Sequence, residues 1–100
     1  MTSFVILLGG DLTVTARLRQ QIRGARAIAA DSGMMHASAL GLVPELWVGD
    51  FDSAGSELAI QYAEVPREIF AVEKDATDGA IAVAAAIARG ASRIVLAGGL

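Results

Sequence analysis

Leu46-Trp47-Val48-Gly49-Asp50-Phe51-Asp52-Ser53 passes from an unbroken apolar run into two carboxylates separated by one residue. The apolar half decides the fold. A strand with one wet face alternates apolar and polar residues, whereas a strand covered on both faces reads as apolar nearly throughout. Four more runs of this second kind occupy residues 4–8, 26–30, 68–72 and 93–97. Between the runs lie segments with helical spacing or composition. Residues 12–23 gather Leu12, Ala16, Leu18 and Ile22 near one side before Gly24, and residues 34–40 end at Gly41. Residues 56–63 stop short of Pro66, and the alanine-rich residues 77–89 end at Gly90. The order is therefore β-α-β-α-β-α-β-α-β. It predicts an α/β fold with an open, doubly wound, mostly parallel sheet and helices on both faces, a Rossmann-like architecture.

The whole composition agrees with one compact domain spanning residues 1–100. Hydrophobic residues make up 54% of the chain and charged residues 19%, enough apolar side chain for a core. Eleven acidic residues against eight basic ones give a net charge of −3, and no Lys/Arg block is present. The electrostatic footprint of a nucleic-acid or anionic-membrane binder is thus missing, although a phosphorylated ligand can still be held through a metal. There are no cysteines, which excludes disulfides and thiolate metal sites and is compatible with a cytoplasmic protein. The apolar residues 1–8 have no basic flank and reach Gly9-Gly10-Asp11 too soon for a signal peptide or a membrane span. They are expected to form the first strand.

Parallel α/β sheets bind ligands outside the carboxyl ends of their strands, near the point where strand order reverses. Each predicted strand here runs into polar or glycine-rich sequence: Gly9-Gly10-Asp11, Asp31-Ser32-Gly33, Gly49 to Ser53, Lys74-Asp75-Ala76-Thr77-Asp78, and Gly98-Gly99. All six aspartates, at 11, 31, 50, 52, 75 and 78, fall in these clusters, while the five glutamates are scattered. Such a rim calls for a cation. Hard oxygen donors select Mg²⁺, Mn²⁺ or Ca²⁺, and Mg²⁺ typically combines a few carboxylates with waters and substrate phosphate oxygens. In extended backbone Asp50 and Asp52 project to the same side and Phe51 to the other.

Each cluster also has a local explanation when taken alone. An isolated D-x-D is a common loop feature, and Asp75 or Thr77 can cap the helix that follows. Asp31-Ser32-Gly33 serves equally as an ordinary strand-to-helix turn. Gly9-Gly10 is not a phosphate-binding P-loop, because no GK[ST] follows. Trp47 is expected in the core, and His36, with no second histidine near it, on a helix surface or packed. The weight lies in the convergence of all five clusters on one rim.

Gly49-Asp50-Phe51-Asp52-Ser53 followed by Lys74-Asp75-Ala76-Thr77-Asp78, and preceded by Ala30-Asp31-Ser32-Gly33 and residues 40–46, resembles the catalytic domain of the thiamine pyrophosphokinases. The resemblance covers nearly the whole chain. It implies transfer of the terminal diphosphate of ATP to the hydroxyl of thiamine, giving thiamine diphosphate and AMP, with Mg²⁺ required. It assigns Asp50, Asp52 and Asp78 to the metal, with Asp75 beside them as a catalytic carboxylate. Asp31, Gly33, Ser53, Lys74 and Thr77 then line the nucleotide or the reacting site. The general base stays open among Asp31, Asp75 and Asp78. The resemblance further implies a homodimer.

Departures from the family pattern are Ser32 where glycine is more frequent, Gly79 where a larger residue is usual, and the end of the sequence at Leu100. The family continues there into a further glycine-rich segment and a second, β-rich domain, so the expectation is a truncated catalytic domain. The alternative expectation is a non-catalytic α/β module that keeps the fold and a nucleotide or metal site. A D-x-D-x-[TV] phosphohydrolase fits less well, because Ala54 stands at the last motif position.

Overall fold

A computed structural model describes residues 2–10, 12–49, 60–69 and 78–98. Five strands form one sheet: β1 (Ser3–Leu7), β2 (Arg26–Ala30), β3 (Leu46–Gly49), β4 (Arg67–Ile69) and β5 (Arg93–Ala97). Their order is β4-β3-β2-β1-β5, and all four pairings are parallel. The chain steps outward from β1 to β4 and then returns to place β5 on the free side of β1. Strand order thus reverses between β1 and β5.

The apolar runs have the two-sided burial that their composition predicts. On one face Val5, Leu7, Ala27, Ala29 and Trp47 join a cluster with Ile22, Met34, Ala37 and Leu40. On the other, Phe4, Ile6, Ile28, Ala30, Leu46 and Val48 pack with Ala82 and Ala86. Successive residues of each strand alternate between the clusters, as the two-residue period of a pleated strand requires. No polar or charged residue is buried among the described residues. The first face is covered by helix α1 (Ala16–Gln21) and by a 3₁₀ turn, Asp31–His36, that continues into α2 (Ala37–Leu40). The second is covered by α3 (Asp78–Ala88), whose Ala82 and Ala86 lie directly against the sheet. Small side chains let that helix backbone come close to the large strand residues. Helices on both faces make the sheet doubly wound.

Two element boundaries differ from the sequence expectation for identifiable reasons. Helix α1 begins at Ala16, four residues later than its spacing suggests, because Thr15 is its N-cap. The Thr15 backbone is extended, and its side-chain oxygen accepts the Leu18 amide hydrogen bond at 3.1 Å. The preceding Thr13-Val14 pair is β-branched and favours extended backbone. Leu12 and Val14 still pack on the first cluster, so their apolar character serves the core without a helix. The segment expected to be helical from residue 34 starts instead as the 3₁₀ turn at Asp31. Among the described residues of the third expected helix, Ile60 and Gln61 are helical and a turn leads to Pro66. The remainder of that helix, and of the expected strand beyond Ile69, lies outside the described residues. No helix among the described residues is long and apolar enough to cross a membrane.

The amino-terminal edge of the sheet is closed by a carboxylate between two guanidinium groups. Glu45, just ahead of β3, accepts hydrogen bonds from Arg26 Nε at 2.5 Å and Arg26 Nη2 at 2.6 Å. It also accepts one from Arg89 Nη1 at 2.8 Å. Arg26 stacks its guanidinium 4.6 Å from the Phe4 ring centre. One carboxylate thereby ties β2, β3 and the end of α3 together. The Arg26 hydrogen bond holds the Glu45 carboxyl below its ordinary value of 4.5, partial burial opposes this, and Arg89 adds to the lowering. A lowered folded-state pKa means stability that is complete above the unfolded value and lost as pH falls through the folded one. Glu45→Gln is therefore expected to lower the urea midpoint at pH 7, with the gap to the parent protein narrowing as the carboxylate is protonated in acid. A gap that does not change as pH falls below the ordinary carboxyl range contradicts the ionic role.

Candidate active site at the carboxyl ends of the strands

Parallel pairing and register bring the polar clusters to one level. Leu7 pairs with both Ala29 and Ala97, and Ala30 pairs with Val48. Gly9, Asp31, Gly49 and Gly98 therefore each follow within two residues of a paired position at the same edge. Asp78 joins this edge by topology. It opens α3, and the far end of that helix meets Glu45 at the opposite edge through Arg89. Eleven helical residues span about 16 Å, so the helix start lies at the carboxyl rim.

The strand ends after β1, β2 and β5 come close to one another. A Cβ built on Gly33 would come within 2.0 Å of the Leu7 carbonyl oxygen. One on Gly9 would come within 2.2 Å of Ser32 Oγ. Gly98 combines φ of +91° with a Cβ position 2.2 Å from the Leu8 carbonyl oxygen. Its neighbour Ala97 accepts the Leu8 amide hydrogen bond at 2.7 Å. Gly33 and Gly98 are required by close approach to main chain, whereas the near atom at Gly9 is the rotatable Ser32 hydroxyl. Gly49 adds φ of +146° at the end of β3, a backbone conformation that suits glycine.

Of the residues predicted for the site, Gly33 and the main chain of Asp31 lie in the 3₁₀ turn beside the β1 loop, and Asp78 begins α3. Asp50, Asp52, Ser53, Lys74, Asp75 and Thr77 lie outside the described residues. Among the described residues no group of three acidic, histidine or cysteine side chains is placed to hold a metal. Trp47 is fully buried, as expected, with the Arg67 guanidinium 5.1 Å from its ring centre. His36 takes the packed role: it is partly buried, and its Nε2 lies 2.7 Å from the Gly10 carbonyl oxygen. A partner 26 residues away in sequence leaves no periodic signal, so this contact was not legible from the chain alone.

An open parallel sheet wound in both directions, with glycine at strand ends near the reversal of strand order, defines a doubly wound α/β domain, a class whose ligands sit at that point. A family model described as the catalytic domain of thiamin pyrophosphokinase matches residues 19–100. The chain belongs to that family. The crystal structure of thiamin pyrophosphokinase from Geobacillus thermodenitrificans is similar, with a TM-score of 0.75 and 28% identity over 100% of this chain and 49% of that one. A thiamin pyrophosphokinase family protein from Enterococcus faecalis gives a TM-score of 0.67 and 25% identity over 94% and 46% of the two chains. The Bacillus subtilis enzyme, at 23% identity and a TM-score of 0.73 over 99% and 49%, shares the fold. The chain spans about half the length of these relatives. No curated protein matches it.

The glycine contacts give a direct check on the rim. Gly33→Ala forces the 3₁₀ turn away from Leu7, whereas Gly41→Ala, at φ of +68° with open space around it, meets only the left-handed backbone penalty. Gly33→Ala is expected to cost about 1–3 kcal/mol, as overpacking does, and Gly41→Ala about 1 kcal/mol. Urea unfolding of the two variants tests the order, and an equal or smaller loss for Gly33→Ala contradicts the close approach.

Proposed function

We propose that these hundred residues are the nucleotide- and metal-binding catalytic unit of a thiamine diphosphokinase, which transfers diphosphate from Mg·ATP to thiamine and yields thiamine diphosphate and AMP. The observation that carries this reading is the family match over residues 19–100, which includes both aspartate clusters in their order. The parallel register supports it, since strands of one direction deliver their loops to one edge.

The chemistry asks the protein for positioning and charge neutralisation more than for covalent participation. Asp50, Asp52 and Asp78 are the proposed Mg²⁺ carboxylates, a hard-oxygen set suited to that ion. The bound metal would neutralise charge on the phosphate oxygens. Lys74 supplies a positive group next to Asp75 in sequence, and Asp31, Gly33, Ser53 and Thr77 border the nucleotide. Asp75 completes the catalytic carboxylates. The carboxylate-rich rim also suits thiamine, whose thiazolium ring is cationic.

Calorimetry separates this reading from a non-catalytic α/β module. Mg·ATP is expected to bind the parent protein, and Asp50→Ala and Asp52→Ala are each expected to weaken binding by at least about tenfold, as loss of a charged metal ligand does. In a chain that also carries the family's second, β-rich domain, AMP formation that requires both thiamine and Mg²⁺ completes the test. Mg·ATP binding without such turnover leaves the binding module, and absence of binding leaves a scaffold.

A further inference from the structure

His36 is the one histidine of the chain, and it stands where three strand ends meet. Its main chain belongs to the 3₁₀ turn that Asp31 opens after β2. Its Nε2 reaches the Gly10 carbonyl oxygen after β1 at 2.7 Å. The Cδ2 edge of the same ring lies against Gly98 after β5, where an added Cβ would come within 3.3 Å of it. A carbonyl oxygen only accepts, so Nε2 carries the proton. One partly buried ring thus joins β2, β1 and β5 at the reversal of strand order.

We propose that His36 is a positioning residue of the nucleotide site. Its Nε2–H fixes the direction of the Gly10 carbonyl, so that this acceptor does not turn toward phosphate oxygens entering the crevice between β1 and β5. Two acceptors facing each other repel, and Gly10, having no side chain, cannot itself correct a misdirected carbonyl. Loss of the hydrogen bond weakens binding of the phosphate chain without removing any group that touches the metal. The inference rests on the nucleotide-binding reading above.

The test compares the parent protein with His36→Phe, which keeps a planar ring and removes the donor, and His36→Gln, whose amide can donate in its place. Calorimetry with Mg·ATP is expected to show affinity about three- to tenfold weaker for His36→Phe, the range an ordinary hydrogen bond gives. His36→Gln is expected to recover most of the loss. A packing role alone would lower thermal stability and leave the affinity of the folded protein unchanged. Nitrogen-15 spectra of the parent imidazole give a readout that needs no variant: the Nε2–H tautomer is expected, with and without Mg·ATP, and the Nδ1–H tautomer overturns the inference. If the parent binds Mg·ATP and His36→Phe binds it equally well, the inference fails and the nucleotide reading stands. If the parent binds no Mg·ATP, both fail together.

Discussion

The parallel pairing of β1 with both β2 and β5 is the constraint on which the other features depend. Val5 and Leu7 face one helical layer while Phe4 and Ile6 face the other, so β1 is held on both faces and along both edges. Burying each such side chain contributes about 1.5–3 kcal/mol, and a slip of one residue would exchange the two faces. The register is thereby fixed. Once Leu7 is level with Ala29 and Ala97, the segments after those residues emerge side by side, and glycine is needed wherever their backbones meet.

The two edges of the sheet divide the work. At the amino-terminal edge, Glu45 between Arg26 and Arg89 ties strands and helix with charge, and Ser92 and Thr2 exchange hydrogen bonds beside β1 and β5. These contacts are partly solvated and bear on stability. At the carboxyl edge Gly33 and Gly98 allow main-chain approach that a side chain would block, and His36 and Ser32 add side-chain contacts to the β1 loop. An edge made this way leaves room and main-chain polarity for a ligand, which is the arrangement an open α/β sheet uses at its point of reversal.

Much of this was legible in the sequence because the signals are local. Runs such as Ala27-Ile28-Ala29-Ala30 and Leu46-Trp47-Val48 are apolar on both faces, and Gly24, Gly41 and Gly90 each lie just beyond a helix with positive φ. The start of α1 at Ala16 was not legible because Leu12 and Val14 supply apolar positions to the core from non-helical backbone, mimicking an earlier helix start. The non-local features were hidden for a different reason. The partners of Glu45 lie 19 and 44 residues away, and that of His36 lies 26 away. No periodicity carries such a distance. The aspartate clusters were visible as residue types at strand ends, while the roles of Asp50, Asp52 and Asp75 rest on resemblance and on the proposed chemistry.

The proposed convergence of the strand ends on one nucleotide-binding rim can be tested by amide spectra recorded as Mg·ATP is added. Shifts are predicted for the amides of Gly9, Gly10, Gly33, Gly49 and Gly98, present with Mg²⁺ and much weaker when it is chelated, while the amides of Arg26, Glu45 and Arg89 stay in place. Shifts confined to the edge bearing Glu45, or no shifts at either edge, would contradict it.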